Sequence, residues 1–144
     1  MNPPETDYMA DTSLTLEDLL VVLRTKGWTL NLWGPRDARE LYAATYRRST
    51  SADVIIIRDE TDASAYRTPI IGDSSMFCPL VVAYQYHATP EWALRAILAL
   101  PAPGAPGAPM VIERPHPKCA IPDGLPKPIT IRPLSSSARL KNDL

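Results

Sequence analysis

Ten of the chain's sixteen prolines fall between Pro101 and Pro133. Proline has no amide proton and its ring locks one backbone dihedral, so it breaks helices and is kept out of central strands. The last third of the chain therefore supplies no helix. Residues 101–109, where Ala, Gly and Pro alternate, read as linker. Residues 110–113 (Met-Val-Ile-Glu) and 129–132 (Ile-Thr-Ile-Arg) are long enough only for edge strands or docked extended segments. Each proline has little conformational freedom left to lose, so such an arm can be ordered over a domain without much regular structure. The expected division is a flexible acidic N-terminus over residues 1–12, a core domain over 13–100 and a proline-rich basic arm over 101–144.

A chain of 144 residues holds one hydrophobic core. Fifteen Lys and Arg against sixteen Asp and Glu leave no whole-chain attraction to phosphate backbones or anionic membranes. Charge is nonetheless segregated. Residues 1–20 carry Glu5, Asp7, Asp11, Glu17 and Asp18 without a base, whereas 114–141 carry Arg114, Lys118, Lys127, Arg132, Arg139 and Lys141 against Asp123 alone. Such ends are ordinarily solvated, but they also suit a basic arm docking on an acidic surface. Two cysteines are too few for a disulfide scaffold, and Arg95 interrupts the longest apolar stretch. The opening residues are acidic and lack the basic-then-apolar order of a secretion signal, so a cytoplasmic protein is expected.

Leu16, Leu19, Leu20 and Leu23 repeat at helical spacing, with Thr15 placed as a cap, Glu17 and Asp18 in the first turn and Gly27 as a stop. Residues 28–33 alternate with Trp28, Leu30 and Leu32 on one face, which predicts a half-buried strand. Residues 36–48 place Ala38, Leu41, Tyr42 and Ala44 or Thr45 at helical spacing behind Pro35, which predicts a second amphipathic helix. Val54, Ile55, Ile56 and Ile57 predict a central strand covered on both faces, paired in parallel with the first strand across that helix. Residues 65–71 predict an edge strand because of Pro69. Residues 80–87 predict a further strand with Leu80, Val82, Tyr84 and Tyr86 on one side. Thr89-Pro90-Glu91 opens a third helix that is apolar almost all round. The expected fold is α+β: a small mixed sheet of about 3–5 strands, three helices and a proline-rich C-terminal arm.

Cys78, His87, His116 and Cys119 could together supply four zinc ligands. The spacing matches no finger or ribbon, and a buried cysteine with a strand-end histidine explains the same residues, so no metal is expected. Ser74, Ser75 and Cys78 lie near His87 and the acids Asp59, Glu60, Asp62 and Asp73, yet no nucleophile elbow surrounds them and turns are rich in Ser and Asp for backbone reasons. No catalytic residue and no cofactor is assigned. The same acids lack calcium-loop spacing, and none of the six glycines forms a G-x-G pair. Arg36, Arg39 and Arg47 fall in one sector of the expected second helix, with Arg48 beside them. Asp37 and Glu40 interrupt them, which favours an ion-paired exposed face over a nucleic-acid surface. The aromatic residues Tyr84, Tyr86 and Trp92, with Tyr42 and Tyr46, suit either an interface or a core that has one Phe to draw on.

Three segments together carry a resemblance: residues 33–42 (Trp-Gly-Pro-Arg-Asp-Ala-Arg-Glu-Leu-Tyr), 52–59 with 65–69, and 90–101 followed by Ala, Pro and Gly. Over most of residues 28–133 the chain resembles short uncharacterised proteins of actinobacteria. Eleven Arg against four Lys fits a high-GC coding sequence of that kind. The resemblance implies a bacterial, cytoplasmic protein and transfers no activity.

The function expected from these readings is a non-catalytic interaction module that binds another protein or itself, with a homodimer in view and no membrane contact. Its candidate surface is Arg36, Arg39, Arg47, Tyr46 and Trp92. The alternative is a small enzyme or ligand-binding domain whose pocket is formed by Tyr84, Tyr86, His87 and Trp92. A third is a nucleic-acid accessory factor using the arginines.

Overall fold

The structure is a computed structural model that describes residues 15–72 and 75–133. Residues 1–12, Asp73, Ser74, Arg139 and Lys141, singled out above, lie outside the described residues.

Helix α1 spans Leu16–Thr25. Its start is a reciprocal capping box: the Thr15 hydroxyl accepts from Asp18 N–H and the Asp18 carboxylate accepts from Thr15 N–H, both at 3.1 Å. Gly27, at φ 95°, turns the chain out of the helix into strand β1, Thr29–Trp33. Then follow β2 (Leu41–Arg47), β3 (Ser51–Asp59), β4 (Asp62–Pro69), β5 (Tyr84–Ala88), helix α2 (Pro90–Ala99), a 3₁₀ turn at Pro117–Cys119 and β6 (Ile129–Ile131). The six strands form one sheet in the order β5-β4-β3-β2-β1-β6, and every pairing is antiparallel.

The expected small mixed sheet with three helices is thus corrected to a six-stranded antiparallel sheet with two helices among the described residues. The difference originates at residues 34–47. Gly34, at φ 97°, opens a closed loop in which Glu40 N–H donates to Trp33 O at 2.8 Å and Arg39 Nη1 donates to Gly34 O at 2.6 Å. The chain then returns as β2 beside β1, with Trp33 opposite Leu41 and Thr29 opposite Thr45. The expected second helix is a loop and a strand, and the expected parallel crossover is a hairpin. β2 is covered on both faces, with Leu41 and Ala43 on one and Tyr42, Ala44 and Tyr46 on the other, so no two-residue alternation marks it.

Two further corrections concern β4 and β5. β4 lies between β3 and β5, not at an edge, and Pro69 closes it at its last residue. β5 begins at Tyr84. Leu80 is exposed, and Val82 packs on the opposite face from Tyr84, so the expected single row of Leu80, Val82, Tyr84 and Tyr86 is broken before the strand starts.

The two faces of the sheet are covered differently. On the first, α1 packs on β1 and α2 on β3, β4 and β5, burying Leu19, Leu23, Trp28, Leu30, Ile55, Ile57, Leu94 and Ile97 in one cluster. On the second, Trp33, Leu41, Val54, Ile56 and Tyr66 are covered by irregular chain: Met76, Phe77 and Val82 from the β4–β5 connection, and Cys119, Ile121 and Leu125 from the arm. The arm also supplies β6, which pairs Leu30 with Ile131 and Leu32 with Ile129.

One buried ion pair pins the first face. Asp53 on β3 sits directly across from Arg67 on β4. Arg67 holds both carboxylate oxygens, at 2.6 and 3.0 Å, and Arg48 donates to one of them at 3.2 Å. Arg67 also donates to Pro101 O at 2.7 Å, which fixes where the arm leaves α2.

Candidate functional site

Strand β5 ends at Ala88 and α2 begins at Pro90, so Tyr86, His87 and Trp92 fall within one sharp turn of chain. Pro90 stands at the first helical position, where its missing amide proton leaves no bond unmade. Thr89 occupies the cap position with extended backbone but makes no side-chain cap bond. These residues border an open cleft of about 590 Å³ whose other walls are Thr61, Asp62, Ala88 and Lys118. Tyr86 and Trp92 are 39% and 58% exposed, although both are large aromatic side chains. The Arg95 guanidinium lies 5.3 Å from the Trp92 ring centre and pairs with Glu91 at 2.7 Å, which holds the indole on the rim.

Tyr84, the fourth residue of the expected pocket, is not in the cleft. It packs half-buried against the first-face cluster, and burial, then the neighbouring Tyr86, raises its phenol pKa. The expected interaction surface separates too. Arg36 and Arg39 are in the loop after β1, Tyr46 and Arg47 are at the far end of β2, and the strand between them is roughly 20 Å long. Tyr46 is partly buried against Trp28, with ring centres 5.8 Å apart. Trp92 is on α2, so the arginines and the tryptophan do not form one face of a helix.

His87, which lines the cleft, belongs to a connected polar network. Gln85 Nε2 donates to Glu113 Oε1 at 2.6 Å and to Arg114 O at 3.0 Å, while its Oε1 accepts from His116 N–H at 2.9 Å. A backbone donor on one side and a backbone acceptor on the other fix which way this amide faces. His87 Nε2, 3.1 Å from the same Oε1, must therefore carry a proton. The neutral ring then accepts at Nδ1, 2.7 Å from Ser64 Oγ. Arg58 Nη1 donates to Ser64 Oγ at 3.1 Å. The hydroxyl therefore donates to His87 and accepts from Arg58.

A polarised hydroxyl against an imidazole has the composition of a nucleophile and its base. Ser64 is 0% exposed, however, so no substrate carbon reaches it in this arrangement. The Cys119 thiol, 3.4 Å from Gln85 Oε1, is buried, and that burial pushes its pKa up to about 11, far from the thiolate. Cys78 is exposed and stands apart in the β4–β5 connection. Of the four residues weighed as zinc ligands, His87, His116 and Cys119 gather around Gln85, and Cys78 does not join them. Among the described residues no group of three or more His, Cys, Asp or Glu side chains could hold a metal ion.

His116 is what the sequence reading undervalued. Its ring lies tilted against that of His87 with centres 5.0 Å apart at 48°, and its Nδ1 caps the 3₁₀ turn by accepting from Lys118 N–H at 3.0 Å. Lys118 in turn reaches Asp62 at 3.3 Å. The available signal was the His-x2-Cys spacing of His116 and Cys119, which marks a turn rather than a ligand pair. Nothing in the chain matches a protein family, a curated protein or a solved structure.

Proposed function

We propose that this is a non-catalytic protein-interaction module whose contact surface is the exposed edge formed by β5 and the start of α2, with a second copy of the chain as its partner. The observation that carries the reading is the pair of exposed aromatic anchors, Tyr86 and Trp92, on either side of one cleft. Trp, Tyr and Arg dominate the energetics of protein contacts, and Arg95 lies against Trp92.

The two sheet edges favour the same surface. β6 is three residues long, set between Pro128 and Pro133 with Lys127 and Arg132 beside it, the usual protection of an edge. β5, Tyr-Gln-Tyr-His-Ala, has neither a formal charge nor a proline, and among the described residues no strand pairs with its outer side, where an isolated bridge joins Val82 to Glu113 just before it begins. An antiparallel dyad centred on Tyr86, the middle residue of β5, would continue the sheet into the partner. Sedimentation velocity over a concentration series tests this. Wild type forms a dimer, and Trp92→Ala sediments as a monomer that, compared at a concentration where wild type is also monomeric, unfolds within about 1 kcal/mol of it. A wild-type chain that stays monomeric throughout refutes it.

One observation favours a second reading, a ligand-binding domain. The cleft volume falls within the range of small-molecule sites, and His87, Asp62 and Lys118 converge on it. A compound that raises the melting temperature of wild type but not of His87→Ala would support that reading.

No helix among the described residues is long and apolar enough to cross a membrane. Cys78 and Cys119 are free thiols, which supports placing the protein in the cytoplasm.

A further inference from the structure

We propose that the His87–His116 pair is a proton-operated latch, which when neutral holds arm residues 114–125 on the second face of the sheet and when protonated releases them. The hydrogen bonds around both rings fit only the neutral forms. His87 Nδ1 accepts from Ser64 and His116 Nδ1 accepts from Lys118 N–H. A proton on His116 Nδ1 sets donor against donor and removes the cap from the 3₁₀ turn. A proton on His87 Nδ1 makes Ser64 accept from both His87 and Arg58, and leaves the serine proton without an acceptor in a fully buried place.

The charges nearby oppose protonation too. Around His87 stand His116 and Lys118 on the arm, Arg58 on β3 and Asp62 at the start of β4, with Glu113 on the far side of Gln85. Glu91 on α2 pairs with Arg95. Asp62 is shared between Arg58 and Lys118, both at 3.3 Å, so its charge is already partly neutralised. Two imidazolium rings 5.0 Å apart beside these cations repel each other.

Burial, then His116, Arg58 and Lys118, hold the His87 pKa below the ordinary imidazole value. With the arm away, His116 and Lys118 and the arm's share of the burial no longer depress His87, so its pKa rises toward the ordinary imidazole value of about 6.5, with Arg58 still beside it. The released state thus takes up a proton at His87 before the latched state does. Attachment is complete above about pH 6.5 and weakens as the pH falls below it. Release strips the arm's share of the cover, Cys119, Ile121 and Leu125, from the cluster of Trp33, Leu41, Val54, Ile56 and Tyr66, while Met76, Phe77 and Val82 stay in place. A second, apolar binding face would become available in acid.

Trypsin reads this directly. Between residues 101 and 133 its one susceptible bond is Lys118–Cys119, because Arg114, Lys127 and Arg132 each precede proline. Cleavage there is compared with that of a free peptide covering residues 110–125, so that the protease's own pH dependence cancels. From about pH 7.5 to 5.5 the normalised rate of wild type rises, approaching tenfold per pH unit for each proton taken up. Far-UV circular dichroism stays constant over the same interval. His116→Asn keeps an acceptor for the cap and shows a shallower rise, and His87→Gln with His116→Asn shows none. A flat wild-type profile, an equally steep profile in His116→Asn, or loss of the circular dichroism signal over the interval would each overturn the latch. His116→Asn alone decides the matter if the double variant does not fold.

Discussion

The two faces of the sheet are buried to a similar degree but are covered by different means. The first is closed by two helices whose apolar stripes interlock with the strands, and Leu23, Ile55 and Ile97 are almost wholly buried there. The second is closed by chain without regular structure: Met76, Phe77 and Val82 from the β4–β5 connection, and three arm residues, Cys119, Ile121 and Leu125. Polar contacts locate the arm residues: the Gln85 amide, the His87–His116 pair and Arg58, which also donates to Lys118 O. Apolar area depends little on pH, whereas hydrogen bonds to imidazoles depend on it strongly. The helical face is therefore built to stay closed, and the arm's face is built to be opened.

Substitutions on the two faces test that contrast. The largest effect is expected at Arg67→Ala, which strands the buried Asp53 carboxylate beneath the helical face and should cost about 3–5 kcal/mol in urea unfolding. A loss under 1 kcal/mol would show that Arg48 alone satisfies Asp53. Next, Ile97→Ala opens a cavity under α2 and should cost about 2–5 kcal/mol. Ile121→Ala, on the partly buried cover of the second face, should cost only about 1 kcal/mol. Equal losses from the two isoleucines, measured in the same denaturant series, would erase the distinction between the faces.

Gly34→Ala lies between these. Its backbone is at φ 97°, and an added Cβ would stand 2.7 Å from Glu40 N, the donor that closes the β1–β2 loop. The expected cost is about 1–3 kcal/mol, read as a lowered melting temperature. The smallest stability change is expected at Trp92→Ala. Its side chain is 58% exposed, so unfolding should move by no more than about 0.5–1 kcal/mol even as association is lost.

Much of the helical face was legible in the residues. The leucine spacing of α1, its Thr15 cap and Gly27, and the Pro-Glu start of α2 are local chemistry that reads the same in sequence and structure, although Thr89 makes no side-chain cap bond. β3 was visible for a different reason, four consecutive β-branched residues. β2 was not. Tyr42 and Tyr46 share a face at a four-residue spacing in a helix and in a strand alike. With both faces of β2 buried, the alternation that would have separated the two was absent. Pro35 then imitated a helix start, where Gly34 was in fact closing a hairpin loop.

The second face was hardly legible at all. Cys119, Ile121 and Leu125 are isolated apolar residues among prolines, without a period, and their partners are far away in sequence. The cleft was partly legible, because His87 and Trp92 are five residues apart across a strand end and a helix start. Tyr84 was misplaced with Tyr86 because alternation gives a shared face but not the depth at which each residue sits on it. His116 could be weighed only as a ligand, since its contact with His87 exists only once the arm has folded back.

The most direct test is sedimentation velocity on wild type, Trp92→Ala and Val21→Ala. Val21 is an apolar residue 57% exposed on α1, closely matched in exposure to Trp92 but away from the β5 edge. Wild type and Val21→Ala should dimerise with the same concentration dependence, and Trp92→Ala should remain monomeric. A monomeric wild type, or Trp92→Ala assembling as wild type does, would contradict an interface at β5 and α2.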